Sequence, residues 1–173
     1  MRILHTSDWH LGQNFYGKSR AFEHQQFLTW LLSQVKEQKI ECVIVAGDIF
    51  DTGTPPSYAR EMYFDFIVNM HKLNCKLIIL AGNHDSVAML GESKLLLKSL
   101  SARVIPSALA YSISCTDTSE AKDEQVFYIN DRLGKPQAVI CAIPFIRPRD
   151  ILKSQAGQSA NDKNQSLQLA IKD

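Results

Sequence analysis

The sequence lacks a surplus of charge of either sign, which excludes binding to nucleic acid through bulk electrostatics. Its 173 residues contain 19 Lys and Arg against 18 Asp and Glu, for a formal net charge of +1. Because such a balance gives no general attraction for polyanions, any contact with DNA has to come from a local cluster of side chains. Hydrophobic residues make up 45% of the chain, which is typical of a globular domain with its own core.

Long hydrophobic runs are also missing. The longest, residues 138–146, is interrupted by Pro144 and is far shorter than the roughly 20 residues that cross a bilayer. The N-terminal segment MRILHTSDWH carries Asp and His where a secretory signal needs an apolar core. We therefore expect no membrane segment and a cytoplasmic protein.

Cysteine is scarce, and no two of the four cysteines form a CxxC pair, so the sequence contains no thiolate motif of the usual spacing. Cys42, Cys75 and Cys141 lie in or beside apolar runs, where we expect small buried thiols. Unpaired thiols of this kind suit a reducing cytoplasm.

What the chain does contain is a repeated local design. Residues 3–8, 42–48 and 76–85 each begin with a short apolar run and end abruptly in Gly or polar residues. Short, punctuated runs of this type predict buried strands rather than helices. A fourth run of the same kind covers residues 138–143.

Apolar residues at helical spacing predict helices between these strands, over residues 22–37, 57–73 and 93–100. Ser57 follows two prolines and is the expected N-cap of the second helix, with Glu61 near the capping-box position. Strands that alternate with helices predict parallel pairing through right-handed crossovers, and therefore an α/β fold.

Polar residues that can bind a metal ion follow the first three predicted strands. In an open parallel sheet, ligands bind beyond the carboxyl ends of the strands. Gly47 and Gly82 allow sharp turns there, and an extended backbone would direct Asp8 and His10 to the same side. Carboxylate, imidazole and amide donors suit manganese, iron or zinc, and a carboxylate such as Asp48 can bridge two ions. The candidate ligands and proton carriers are Asp8, His10, Asp48, Asn83 and His84.

The motifs DWH at 8–10, GDIFD at 47–51 and GNHD at 82–85 resemble the first three motifs of the calcineurin-like metallophosphoesterases. The longer matches HTSDWHLGQNFY, AGDIFDTGTPPSYAR, LAGNHDS and IPFIRPRDI resemble the SbcD-type nuclease family within them. The resemblance implies an α/β fold with a metallophosphoesterase-type β-sandwich flanked by helices. Residues 1–173 would be the N-terminal part of the nuclease domain, truncated before the second half of the fold.

The resemblance also implies roles for individual residues. Asp8 and His10 would hold a first metal, Asp48 would bridge two metals and Asn83 would hold the second. His84 would be the general acid or would stabilise the leaving oxygen, with Asp85 orienting it. Asp51 would either support this site or serve only as a turn residue. The expected cofactor is Mn²⁺, as one or two ions, with Mg²⁺ as the alternative.

The sequence departs from the family at its last ligands. The family completes its site with three further histidines, two of them in a GHxH motif, whereas none of the five histidines here follows His84. By the same resemblance, we expect these 173 residues to lack the partner-binding and DNA-capping regions of the family. We therefore expect this chain to carry part of a two-metal site and to show weak turnover or none by itself.

The function implied by the resemblance is metal-dependent hydrolysis of DNA phosphodiesters. In the family this is an ATP-dependent double-strand exonuclease and single-strand endonuclease activity, performed with an SbcC-type ATPase in DNA repair, recombination and replication. One alternative is a weak or inactive fragment that dimerises or binds DNA. The other is a phosphatase or phosphodiesterase that acts on small substrates.

The sequence also predicts two contact surfaces. A stretch after the first motif mixes aromatic, amide and basic side chains that can contact DNA, although an ordinary loop has the same composition. Its members are Gln13, Asn14, Phe15, Tyr16, Lys18 and Arg20. Arg147 and Arg149 could contact DNA in the same way or form a structural salt bridge.

The second predicted surface belongs to the helix over 57–73, which is apolar on almost every side. A helix with two apolar faces has to bury the second against another element or another chain. We expect a homodimer through Tyr63, Phe64, Ile67 and Leu97, with packing inside the chain as the alternative. Among the remaining histidines, His5 is expected to be packed, and His24 and His71 to lie at the surface.

Overall fold

The computed structural model describes residues 1–108, 125–131 and 133–147, and Cys115, Arg149 and the tail beyond them lie outside this part. The elements in chain order are β1 (Ile3–Thr6), β2 (Asn14–Phe15), β3 (Lys18–Ser19), α1 (Ala21–Glu37), β4 (Cys42–Ala46), α2 (Ser57–Lys72), β5 (Lys76–Leu80), α3 (Val87–Glu92), α4 (Lys94–Ser99), β6 (Ala102–Ile105), β7 (Val126–Asn130) and β8 (Pro136–Cys141). No helix among the described residues is long and apolar enough to cross a bilayer.

A four-stranded parallel sheet organises the fold, in the order β1-β4-β5-β6. The prediction of an α/β fold with parallel strands is therefore confirmed. Each crossover between neighbouring strands of this sheet contains helix, so the carboxyl ends of all four strands lie at one edge. The loops that carry the candidate ligands leave from that edge.

The two faces of the sheet are covered differently. Val43, Val45, Leu77 and Ile79 belong to a core shared with residues of all four helices. Side chains of the alternate positions, including Cys42 and Ile78, pack instead with Ile129 and Ala142, at the antiparallel β7–β8 pair. The described helices thus flank one face, and two antiparallel strands form the second layer of a sandwich on the other.

Helix α2 uses its wide apolar surface inside the chain, because it packs against both α1 and β5. Tyr63 and Ile67 on α2 and Leu97 on α4 are only 2%, 0% and 1% exposed. The expectation that these three residues form a dimer surface is therefore wrong for this fold, since their side chains already fill its core. Phe64 is 36% exposed and remains available at the surface.

Two helix starts differ from the sequence prediction. The N-cap of α2 is Pro56 rather than Ser57, and no side chain caps it. Separate from the predicted helix over 93–100, which is observed as α4, a short α3 begins after Ser86. The Ser86 hydroxyl accepts a hydrogen bond from the amide of Met89 at 3.3 Å, which is an ordinary N-cap.

Single residues depart from their predicted burial according to where their element lies. Cys42 and Cys75 are buried as expected, but Cys141 is exposed on β8, which among the described strands pairs with β7. His5 is exposed on the face of β1 opposite Leu4, which packs against the helix-side core. His71 is at the surface as predicted, whereas His24 is buried at 6% exposure on the inner side of α1.

Candidate metal centre

Parallel pairing between β1 and β4 continues into the loops that follow them. The amides of Asp8, His10 and Leu11 donate to the carbonyls of Gly47, Asp48 and Ile49, at 3.1, 3.0 and 2.9 Å respectively. These three bonds hold the first two motif loops side by side. Asp8 and His10 are thereby fixed in register with Asp48.

The backbone at these positions is left-handed. Asp8, His10 and Asp48 have φ angles of 56°, 48° and 51°. Asp8 and His10 are therefore not on extended backbone as predicted, and the loop bonds rather than strand geometry bring them together. Residues other than glycine rarely adopt this conformation, and the strain it costs is concentrated at functional sites.

Two glycines bring the third loop against the second. Gly47 has a φ of +91°, which fits the predicted sharp turn. Gly82 is needed for a different reason, because a Cβ there would lie 2.1 Å from Oδ1 of Asp48 and 2.3 Å from its amide nitrogen. Only a residue without a side chain permits this approach. The loop that carries Asn83 and His84 is consequently packed directly on Asp48.

The buried side chain of Asp85 connects the second and third motif loops. Its carboxylate is buried, at 3% exposure of the residue, and accepts hydrogen bonds from the amides of Gly82, Ile49 and Phe50 at 2.8, 3.2 and 3.0 Å. Burial raises the pKa of the Asp85 carboxyl, and the three amide donors oppose that rise. Asp85 is predicted to orient His84, but its side chain is bonded instead to these backbone amides.

The His84 side chain is exposed, and two contacts set its orientation. Its amide donates to Oδ1 of Asp48 at 3.0 Å, and its Nδ1 lies 2.8 Å from the carbonyl oxygen of Asp51. The bond to the Asp51 carbonyl, followed by the nearby carboxylates, raises the pKa of His84. The imidazole therefore retains its proton more readily than a free histidine, and Nε2 is the nitrogen not used in that bond.

Ligand atoms from all three loops converge at this edge. One ligand atom each from Asp8, His10 and Asp48 lie within 4.8 Å of one another, and so do atoms from His10, Asp51 and His84. The Nδ1 atom of His10 is buried and has no hydrogen-bond partner within the described part of the chain. These oxygen and nitrogen donors fit a divalent cation such as manganese or zinc.

Asn83, the remaining candidate ligand, lines one cavity together with Asp48, Gly47 and Gly82. Four of the five residues singled out from the sequence thus supply atoms to the two donor groups, and the fifth faces the same cavity as one of them. Asp51 adds a carboxylate oxygen 3.4 Å from His10 Nδ1. Its side chain therefore contacts the group, which a turn residue alone would not do.

Comparison with known proteins agrees with this geometry. The family model described as calcineurin-like phosphoesterase matches residues 1–146. The chain belongs to the calcineurin-like phosphoesterases. It is 51% identical over all 173 residues to SbcD of the SbcCD nuclease from Escherichia coli strain K12, and spans 40% of the length of that relative.

Other relatives are more distant. SbcD of the SbcCD nuclease from Rhodobacter capsulatus is 31% identical over 153 residues, which cover 87% of this chain and 36% of the relative. The corresponding protein of Bacillus subtilis is 39% identical over 87 residues, or 50% and 22% of the two chains. Membership of this metallophosphoesterase family implies binding of a divalent metal, and the two donor groups are its candidate ligands.

In this phosphoesterase, the predicted DNA-contact stretch forms the small hairpin β2–β3. Phe15 and Tyr16 are 64% and 92% exposed at its tip, and Lys18 is also exposed. Gln13 and Arg20 lie at its base instead: the Gln13 amide nitrogen donates to Oδ1 of Asp51 at 3.3 Å, and Arg20 donates to Gln13. The stretch therefore has a solvent-facing tip and a base that is hydrogen-bonded to Asp51 of the candidate metal centre.

Two further residues contact the site in ways that the sequence did not predict. Arg147 is buried and donates from Nη2 to the carbonyls of Gly82 and Asp85, at 3.0 and 2.7 Å, so it holds the third loop through backbone hydrogen bonds. His24 lines a cavity shared with Asp8, His10 and Arg20. Burial, followed by the positive charge of Arg20, lowers the pKa of His24. Nothing in the local pattern around His24 marks it as part of a site.

Proposed function

We propose that this chain carries the metal-holding and proton-donating part of a DNA phosphodiesterase site of the SbcD type. The observation that supports the proposal most directly is the pair of donor groups that share His10 at the carboxyl edge of the sheet. Their carboxylates and imidazoles come from three separate loops, as a site assembled by the fold requires. The relatives that span longer chains are named as nuclease subunits.

Three of the proposed metal ligands form one donor group, and Asn83 is added because it lines a cavity with Asp48 and matches the family motif. Asp8 and His10 would hold one cation, Asp48 would be shared between two, and Asn83 would contribute to the second. Manganese is the proposed ion, with magnesium as the alternative. Divalent cations held here would supply Lewis acidity and offset the negative charge that develops on the phosphate.

His84 is the proposed proton donor. Its Nδ1 is occupied by the Asp51 carbonyl, which leaves the Nε2 proton for the leaving oxygen when the P–O bond breaks. The raised pKa of this imidazole favours the protonated form that a general acid needs. Because the side chain is exposed, a substrate can reach it without displacing other parts of the fold.

An extended polymer is the proposed substrate. The exposed tip of β2–β3 offers two aromatic rings and the ammonium group of Lys18, which suit sugars, bases and phosphates beside the scissile bond. Asn14 on the same hairpin adds an amide. By analogy with the relatives, the full activity would be an ATP-dependent exonuclease and endonuclease with an SbcC-type ATPase partner, in the bacterial cytoplasm.

A homodimer is the proposed assembly. Of the four residues predicted to form its interface, only Phe64 is retained. Phe64 and Val68 on α2 and Leu95 and Leu96 on α4 are 36%, 38%, 86% and 67% exposed. We propose that these side chains contribute to one apolar contact with a second copy of the chain, since large apolar patches mark protein interaction sites. Sedimentation of the wild type and of Leu96→Glu tests this, since the variant should be monomeric at concentrations where the wild type dimerises. A monomeric wild type would refute the dimer.

The nuclease proposal is tested with a labelled DNA hairpin in the presence of Mn²⁺. The weak turnover expected of this chain should be faster on the hairpin than on p-nitrophenyl phosphate or a cyclic nucleotide, and His84→Ala should lose it while still taking up Mn²⁺. His71→Ala, at an exposed position of α2, is the matched control. Faster hydrolysis of the small substrates would instead assign a phosphatase or phosphodiesterase. Cleavage by His84→Ala at the wild-type rate would remove its proposed role.

DNA binding without turnover is the second candidate function. It is favoured by the small number of donors in the two groups, since two cations that each prefer about six ligands need more atoms than these residues provide. The same assay distinguishes the two functions when a gel-shift measurement accompanies it. Retention of the hairpin with no Mn²⁺-dependent cleavage would support binding alone.

A further inference from the structure

The base of the β2–β3 hairpin is linked to the metal centre by side chains. The Arg20 amide donates to the Gln13 carbonyl at 3.1 Å, which closes the hairpin. The Arg20 guanidinium also donates from Nη1 to Oε1 of Gln13 at 2.9 Å. Because its carboxamide oxygen is held in this way, Gln13 presents its NH₂ group to the other side.

That NH₂ group reaches the metal centre through Asp51. Nε2 of Gln13 donates to Oδ1 of Asp51 at 3.3 Å, and the same oxygen lies 3.4 Å from Nδ1 of His10. The four residues are partly buried. They form a series of contacts from Arg20 to Gln13 to Asp51 to His10. The first two contacts are hydrogen bonds, and the last is a close approach of the Asp51 carboxylate to Nδ1 of the proposed metal ligand His10.

The contact between Asp51 and Nδ1 of His10 determines which ring nitrogen of His10 can bind a metal. Only one ring nitrogen of a neutral histidine can ligate a metal, and the contact made by the other nitrogen decides which. A carboxylate beside Nδ1 favours the tautomer with the proton on Nδ1. The lone pair of Nε2 is then free on the side of Asp8, whose Oδ1 lies 4.0 Å away.

We infer that Gln13 and Arg20 are positioning residues for the metal ligand His10, and not the DNA contacts that their sequence context predicts. Gln13 fixes the Asp51 oxygen that faces His10, and Arg20 fixes Gln13. Both lie at the partly buried base of the hairpin, whereas Phe15, Tyr16 and Lys18 are exposed towards its tip. The inference rests on the proposed metal site.

The test compares variants at the base and the tip of one hairpin, in the 173-residue chain. Gln13→Met and Arg20→Met keep side-chain length but remove the hydrogen bonds, and Lys18→Met is the matched control at an exposed position. In an electron paramagnetic resonance titration with Mn²⁺, the base variants should lose at least about tenfold in affinity, as when partners of metal ligands are removed. Lys18→Met should bind Mn²⁺ like the wild type.

Two further measurements separate positioning from other roles. In the metal-free chain, ¹⁵N NMR should report the Nδ1–H tautomer of His10 in the wild type and a mixture of tautomers in Gln13→Met. In gel shifts without metal, Lys18→Met should lower the slope of log affinity against log salt by about one, and Arg20→Met should leave it unchanged. A lower slope for Arg20→Met would make it a phosphate contact.

The outcomes distinguish this inference from the proposed function. If Gln13→Met and Arg20→Met bind Mn²⁺ as the wild type does, the positioning role is refuted while the metal site stands. If the wild type takes up no Mn²⁺, the proposed function fails. The NMR measurement of the His10 tautomer then still tests whether Gln13 and Arg20 position its ring. Circular dichroism melting of each variant verifies that the chain remains folded.

Discussion

Gly82 lies against Asp48 so closely that an added Cβ would be 2.1 Å from the carboxylate oxygen Oδ1 and 2.3 Å from the backbone nitrogen. Atoms at such distances overlap, and the backbone contact cannot be relieved by turning a flexible side chain. The third motif loop is therefore held on the second by the absence of a side chain. This contact fixes the distance between the donors of Asp48 and those that follow Gly82.

Replacement of Gly82 by alanine should therefore separate the two loops. We expect Gly82→Ala to lose about 1–3 kcal/mol of unfolding free energy, the usual cost of overpacking, together with most of its Mn²⁺ affinity. Gly53→Ala is the control, because a Cβ there would meet Ser86 at 3.7 Å and the His84 carbonyl at 3.9 Å, which are ordinary contacts. Urea unfolding and Mn²⁺ titration check both variants, and equal behaviour of the two would contradict the argument.

The thiols should differ sharply in reactivity. Burial raises the pKa of Cys42 to about 11 and that of Cys75 to about 12, whereas Cys141 is exposed. In a Cys115→Ser background at pH 8, Cys141 should react with Ellman's reagent within minutes. Cys42 and Cys75 should react only after denaturation, because a buried neutral thiol is a poor nucleophile. Rapid reaction of all three thiols in the native chain would contradict the described packing.

His24 should make stability depend on pH. Its pKa is lowered in the folded chain by burial and then by Arg20. The unfolded chain consequently binds more protons near pH 6 than the folded chain does. The contribution of His24 to the free energy of unfolding is therefore present above the unfolded pKa of about 6.5. It is lost as the pH falls through the folded pKa. At pH 5.5 the loss is at most about 1.4 kcal/mol, since that pH lies about one unit below the unfolded value.

Urea unfolding at pH 7.5 and 5.5 checks this dependence. His24→Gln replaces the titrating ring by a neutral amide and should lose less stability than the wild type over the same interval. His71→Gln, at an exposed position of α2, is the control. An equal loss in the wild type and His24→Gln would show that His24 does not cause the effect.

The sequence was sufficient to predict the parallel sheet and the edge at which its chemistry lies. Short apolar runs that stop at Gly47 or Gly82 mark where strands end, and parallel connections bring those ends together whatever the details of packing. Asp8, His10, Asp48 and His84 could be selected for this reason. The family resemblance then narrowed the possible chemistry to phosphoester hydrolysis.

Properties that depend on contacts between distant elements could not be predicted in this way. His5 is exposed because it projects from the face of β1 opposite the helix-side core, and His24 is buried because its side of α1 faces the first motif loop. Tyr63 and Leu97 pack within the chain, since α2 and α4 contribute to the same core. Local periodicity reports that a face is apolar, but not which partner covers it.

The backbone conformation at the site also could not be predicted from local sequence patterns. Asp8 and His10 look like alternate positions of an extended strand, yet both adopt left-handed conformations. These are imposed by bonds to the loop after β4, some 40 residues away in sequence. The bonds from Arg147 to the third loop have a similar long-range origin, with sequence separations of 65 and 62 residues.

The most direct test of the account is Mn²⁺ uptake by Asp48→Asn, measured by electron paramagnetic resonance beside the wild type and Asp65→Asn. Asp65 is exposed on α2, away from the donor groups, so its variant changes the net charge by the same amount. The wild type and Asp65→Asn should bind Mn²⁺ equally, and Asp48→Asn should bind at least about tenfold more weakly. Equal affinity in all three chains would contradict a cation site assembled from the three loops.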